Sequence, residues 1–123
     1  MFSDLIGQRV LVVEDDYLQA VDMTLALEEQ GSDVVGPFPH LDGGLAALNL
    51  ASIDAAVLDV HLLYRNVFQL ADCPMKQDIP FLFVTGYDPI EIPDRFRGVQ
   101  CLLKPVGPGE IMVRLAAVIA GRH

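Results

Sequence analysis

Four apolar runs in this 123-residue chain each stop on a polar or charged residue. Leu11-Val12-Val13 stops on Glu14-Asp15-Asp16, and Ala55-Ala56-Val57-Leu58 stops on Asp59. Phe81-Leu82-Phe83-Val84 stops on Thr85, and Cys101-Leu102-Leu103 stops on Lys104-Pro105. Runs this short and this apolar suit strands buried on both faces, as in parallel sheets. If all four are parallel strands of one sheet, their carboxyl ends share one edge. Open α/β sheets bind ligands at that edge. It would gather an acidic cluster, one more aspartate, a hydroxyl and a lysine. Those groups suit holding a divalent cation, phosphorylating a carboxylate and neutralising the result.

The segments between the runs carry helical spacing, so the chain reads as βα repeats around a mostly parallel sheet. Strands are expected at about Arg9 to Val13, Asp33 to Val35, Ala55 to Leu58, Pro80 to Val84 and Val99 to Leu103. Gly36-Pro37 is expected to end the second strand. A first helix is expected from Tyr17 to Gln30, with Leu18, Val21, Leu25 and Ala26 at helical spacing and Gly31 as its stop. A second is expected from Leu41 to Leu50 with Asp42 as its cap. A short third helix starts between Asn66 and Ala71, its length limited by Pro74. Between Tyr87 and Gly98, Pro89 and Pro93 leave room for one turn, at about Asp94 to Arg97. The last helix runs from Pro108 to Ile119, with Ile111, Leu115, Val118 and Ile119 toward the sheet. Right-handed crossovers then favour a doubly wound, flavodoxin-like sheet of five parallel strands in the order 2-1-3-4-5. That order sets the ends of the first and third strands, with Glu14, Asp15 and Asp59, side by side.

The length suits one domain over residues 1–123. The net charge of −9 disfavours unaided binding to nucleic acid or to an anionic membrane. No apolar stretch reaches the roughly 18 residues of a membrane helix, and the start of the chain lacks the features of a secretory signal. Cys73 and Cys101 form neither a metal spacing nor a disulfide framework, and Cys101 reads as a core thiol. A reducing cytoplasm is the expected compartment.

Each edge residue also has an ordinary reading. Adjacent carboxylates such as Glu14 and Asp15 repel unless a cation lies between them, and hard oxygen ligands suit Mg²⁺. Asp16 is the expected cap of the first helix, which leaves the other two for a metal. Asp59 at the end of an apolar strand needs solvent, a partner or a metal; its ordinary reading is a loop aspartate. Lys104 precedes a proline, and a cis bond there would aim the ammonium back toward Asp59. Its ordinary reading is a surface lysine, and that of Thr85 is strand propensity.

Together, Val12-Val13-Glu14-Asp15-Asp16, Val57-Leu58-Asp59-Val60, Val84-Thr85-Gly86 and Leu103-Lys104-Pro105 resemble, in order, the four signatures of the receiver domains of two-component response regulators. The resemblance spans nearly the whole chain. It implies that Asp59 is the phosphoacceptor for a sensor histidine kinase or phosphotransfer protein. It implies that Asp15 binds Mg²⁺ directly and that Glu14 acts largely through water. Asp59 and the backbone carbonyl of His61 would complete the metal site, while Thr85 and Lys104 contact the phosphoryl group. Such a protein is a switch rather than an enzyme, catalysing only its own aspartyl phosphorylation and dephosphorylation. Two departures stand out. Cys101 occupies the position, three before the lysine, where receivers carry Tyr or Phe, and the region before the fifth strand is rich in proline where most have a regular fourth helix. Phe81-Leu82-Phe83-Val84-Thr85-Gly86-Tyr87 is similar to the FAT GUY receivers of alphaproteobacteria, with Val84 in place of Ala, and Tyr87 is a candidate substitute switch element.

The chain stops soon after its last helix, so the expectation is a stand-alone receiver with no output domain, signalling through a partner protein. A phosphate shuttle or sink is a variant of that reading, and a homodimer is compatible with it. A phosphorylation-independent binding module with a receiver fold is the alternative, favoured by Cys101 and opposed by the intact Glu14, Asp15, Asp59, Thr85 and Lys104. A Mg²⁺-dependent phosphatase with Asp59 as nucleophile is a third reading; no cap segment for it is visible.

Overall fold

A computed structural model of the chain describes residues 3–62, 65–86 and 92–121. In chain order the elements are β1 (Arg9–Val13), α1 (Tyr17–Glu29), β2 (Asp33–Phe38), α2 (Leu41–Leu50), β3 (Ala55–Asp59), β4 (His61–Leu62), β5 (Arg65–Asn66), α3 (Phe68–Lys76), β6 (Phe81–Thr85), β7 (Cys101–Leu103) and α4 (Pro108–Ala120). Short 3-10 turns lie at Ser3–Leu5 and Asp94–Phe96. Five parallel strands form one sheet in the order β2-β1-β3-β6-β7, the doubly wound order expected above. β4 and β5 make a separate antiparallel pair just after Asp59, an element the sequence reading did not anticipate.

Strand alternation divides the core in two. On one face Val10, Val12, Val57, Leu82 and Val84 meet Met23 and Leu27 of α1 and Ile111 and Leu115 of α4. On the other, Leu11, Val13, Leu58 and Phe83 meet Leu41 of α2 and Leu70 of α3. Every residue of β3 and β6 is buried, which explains why those runs carry no alternating polar positions.

Several expectations need correction. α1 buries Ala20, Met23 and Leu27, whereas Leu18 and Leu25 are 72% and 56% exposed. The helix is apolar on more than one stripe, so its period alone does not choose the buried one; docking against β2 and α4 does. β2 does not stop at Val35 but continues through Gly36-Pro37 to Phe38, with a register shift opposite Leu11 to Val13. Gly36 permits this at φ +108°, where a Cβ would sit 2.8 Å from the Val12 carbonyl oxygen. The cap position of α2 is His40, and Asp42 lies in the first turn. α3 is short, as expected; it passes through Pro74, which removes only one helical bond, to the Leu70 carbonyl, and it ends two residues later. α4 buries Met112 and Ala116 beside Ile111, Leu115 and Ile119, and leaves Val118 half-buried. The single turn at Asp94–Phe96 is present as expected. Tyr87 and Pro89 lie outside the described residues.

Candidate functional site

The carboxyl ends of β1, β3, β6 and β7 bring the anticipated residues to one edge. β1 delivers Glu14, which is 3% exposed, and the half-buried Asp15. Asp16 takes the expected cap role: its Oδ1 accepts the Gln19 N–H at 3.1 Å. The Asp16 N–H in turn donates to Glu14 Oε2 at 3.1 Å, which fixes that carboxylate inward. β3 delivers Asp59, 4% exposed, whose Oδ1 accepts the His61 N–H at 3.3 Å. β6 delivers Thr85, 1% exposed, and the Thr85 carbonyl accepts the Lys104 N–H at 2.7 Å. The Lys104–Pro105 peptide is cis, the isomer that the sequence left open.

Lys104 reaches across the edge. Its Nζ lies 3.2 Å from Asp59 Oδ2 and 3.2 Å from Glu14 Oε1. The pairing with Asp59 was anticipated, and the pairing with Glu14 was not. Glu14 is adjacent in sequence to Asp15, so sequence alone suggested only a metal role. The strand order is what places Glu14 within reach of a lysine 90 residues away.

Two carboxylates share one ammonium, and the protonation of Asp59 and of Lys104 reflects this. Burial, reinforced by Glu14, pushes the Asp59 carboxyl up to about 8, and Lys104 only partly offsets it. Burial alone would lower the Lys104 ammonium, but attraction to Asp59 and Glu14 outweighs it and its pKa is raised. One carboxylate oxygen each from Glu14, Asp15 and Asp59 lie within 4.8 Å of one another. An all-oxygen donor set with an uncompensated negative charge fits a hard divalent cation such as Mg²⁺. Cys101 differs from the core thiol expected: it is half-buried, at the border of the core, and burial raises its pKa.

No family model matches the chain. A curated relative, the transcriptional regulatory protein QseB of Haemophilus influenzae, is 32% identical over 122 residues, covering 94% of this chain and 54% of QseB. The chain spans about half the length of the curated relatives it matches. Among solved structures, a response regulator receiver domain protein from Methanospirillum hungatei shares the fold at a TM-score of 0.84 and 21% identity, covering 94% of this chain and 96% of that one. The non-phosphorylated HemR receiver domain from Leptospira biflexa is 31% identical at a TM-score of 0.74, covering 93% of this chain and 95% of that one. Fold, near-complete coverage at this identity and the acid cluster with its lysine at one sheet edge agree, and the chain belongs to the receiver-domain family of response regulators.

Proposed function

We propose that this chain is a phosphorylation switch in which Asp59 accepts a phosphoryl group from the phosphohistidine of a sensor histidine kinase or phosphotransfer protein. The reaction depends on Mg²⁺, and a partner protein reads the product. The observation that carries this reading is the Lys104 ammonium held 3.2 Å from both Asp59 and Glu14 at an almost closed edge. Lys104 supplies part of the counter-charge that Asp59 needs to ionise, and a bound cation would supply the rest, so that the group can act as a carboxylate nucleophile.

Glu14, Asp15, Asp59 and the backbone carbonyl of His61 would hold Mg²⁺, which when bound supplies positive charge to the carboxylates and the phosphoryl oxygens. The chain's own groups do the rest. The Asp59 carboxylate attacks phosphorus in line; the new P–O bond forms as the P–N bond breaks, and the imidazole departs with the electron pair. Lys104 moves its charge from Asp59 to a phosphoryl oxygen, and the Thr85 hydroxyl donates to another. The chain thus acts only on its own carboxylate. That residues 1–123 form one receiver domain, working in the cytoplasm, belongs to the same proposal, as does a place among FAT GUY-like receivers. The last is supported by Phe83-Val84-Thr85-Gly86 and by Cys101 where an aromatic is usual.

Cys101 also favours a second reading, a binding module that does not respond to phosphorylation. Acetyl phosphate with Mg²⁺, followed by intact mass, separates the two. The switch reading expects a single acid-labile phosphoryl adduct that is absent in Asp59→Asn. No adduct, with no Mg²⁺-dependent NMR shift at Glu14, Asp15 or Asp59, would overturn it in favour of the binding module.

A further inference from the structure

The hairpin of β4 and β5 follows Asp59 directly, and each of its strands is only two residues long. A pair that short is marginal by itself in water, so the groups around it fix its register. Val60, Leu62 and Val67 are buried in the core shared with α2 and α3. The Val67 N–H donates to the Val60 carbonyl at 3.0 Å, one position beyond the paired His61 and Asn66. At the exit of the hairpin, Asn66 Oδ1 accepts the Phe68 N–H at 3.2 Å. That turn opens α3, whose own cap residue, Val67, makes no side-chain cap bond.

The register decides where the His61 backbone points. Opposed residues of an antiparallel pair alternate between positions that bond across the pair and positions that face away from it. The bond from Val67 to Val60 makes Val60 a bonding position, so His61, the next residue, faces away from β5. Its N–H shows the direction, because it donates to Asp59 Oδ1 at 3.3 Å. In extended backbone the carbonyl of a residue lies on the same side as its N–H. The His61 carbonyl is thereby turned toward the edge where Glu14, Asp15 and Asp59 gather. A slip of one residue would turn it back onto β5.

We propose that Asn66 is a positioning residue for the cation site. Its amide ties the exit of the hairpin to the start of α3, and so keeps the register that aims the His61 carbonyl at a divalent cation. Asn66 acts through the His61 backbone and not by contact with the ion. This rests on the Mg²⁺ reading of the acidic edge and adds to it the side chain that sets the direction of one ligand.

The test titrates Mg²⁺ into the isotope-labelled full chain and follows backbone carbonyl and side-chain carboxyl resonances by NMR. In wild type the His61 carbonyl is expected to shift along with the Asp15 and Asp59 carboxyls. Asn66→Ala removes the turn, and Asn66→Gln keeps an amide but sets it one methylene too far out; each should bind Mg²⁺ about five- to tenfold more weakly. At saturation their Asp15 and Asp59 shifts should match wild type, and the His61 carbonyl shift should be smaller. Asn66→Ser, whose hydroxyl can close the same turn, should lie closer to wild type than to Asn66→Ala. Ile119→Val, which removes a buried methyl group at the far end of α4, controls for lost stability and should bind as wild type does. Unchanged affinity in Asn66→Ala and Asn66→Gln, or an equal loss in Asn66→Ser or Ile119→Val, would overturn the role of Asn66 alone. So would a static His61 carbonyl in wild type beside shifting Asp15 and Asp59. No Mg²⁺-dependent shift at Asp15 or Asp59 in wild type would overturn the metal reading of the edge and this inference with it.

Discussion

In the proposed switch Asp59 is the residue on which the chemistry turns, and its protonation links that chemistry to stability. Its carboxyl is raised to about 8 by burial and by Glu14, against an ordinary value of 3.8. A raised value in the folded state means that the folded protein binds the proton more tightly than the unfolded chain does. The resulting stabilisation is full below about pH 4 and is lost as the pH rises through about 8. In metal-free buffer the thermal midpoint of wild type, measured relative to Asp59→Asn, should therefore fall between pH 6 and pH 8. At pH 8 the variant should be the more stable by on the order of 1 kcal/mol, about 4 °C. A midpoint difference that is flat with pH would mean that Lys104 fully compensates both carboxylates. This property was not legible in the sequence, which placed Asp59 at the right edge but not at 4% exposure beside Glu14.

At the scale of elements, α2 shows how local preference yields to packing. Gly43 and Gly44 sit in its first turn, where propensity alone favours almost any other residue. A Cβ on Gly44 would meet Leu70 Cδ1 at 2.5 Å and Val13 Cγ2 at 3.0 Å, and one on Gly43 would meet Phe38 Cδ1 at 2.7 Å. The glycines let the helix lie close on β1 and α3. Gly44→Ala should destabilise by about 1–3 kcal/mol through overpacking. In contrast, Gly109→Ala in the first turn of α4, where nothing lies within 4 Å, should stabilise by up to about 1 kcal/mol. Denaturant titrations of the two variants would check the opposite signs. α3 makes a related point. It ends in a Schellman-type turn, with the Ile79 N–H donating to the Pro74 carbonyl at 2.9 Å across Asp78 at φ +56°. Pro74 limits the length of α3, as its sequence suggests, but the pattern does not reveal that the turn after it closes the helix.

The whole molecule carries a net charge of −9, and part of it is concentrated at the sheet edge. Salt of any kind should relieve the general repulsion. Only a cation that enters the site adds stability by mass action. At matched ionic strength and pH 8, Mg²⁺ should raise the thermal midpoint above its value in NaCl, and Asp15→Asn should remove the difference; equal midpoints in the two salts would count against a metal site. The sequence by itself determined the class of fold, the order of the strands and the composition of the edge. Those follow from short-range patterns: apolar runs, their polar stops and the right-handed crossovers that join them. Only the tertiary structure decided which stripe of α1 is buried, that β2 runs on past Pro37, that the hairpin of β4 and β5 follows Asp59, and that Lys104 is shared between Asp59 and Glu14. Each of these depends on where a second element lies in space. A helix with two apolar stripes, a strand interrupted by Gly-Pro and a lysine distant in sequence from its partners all leave that position open until the sheet is assembled.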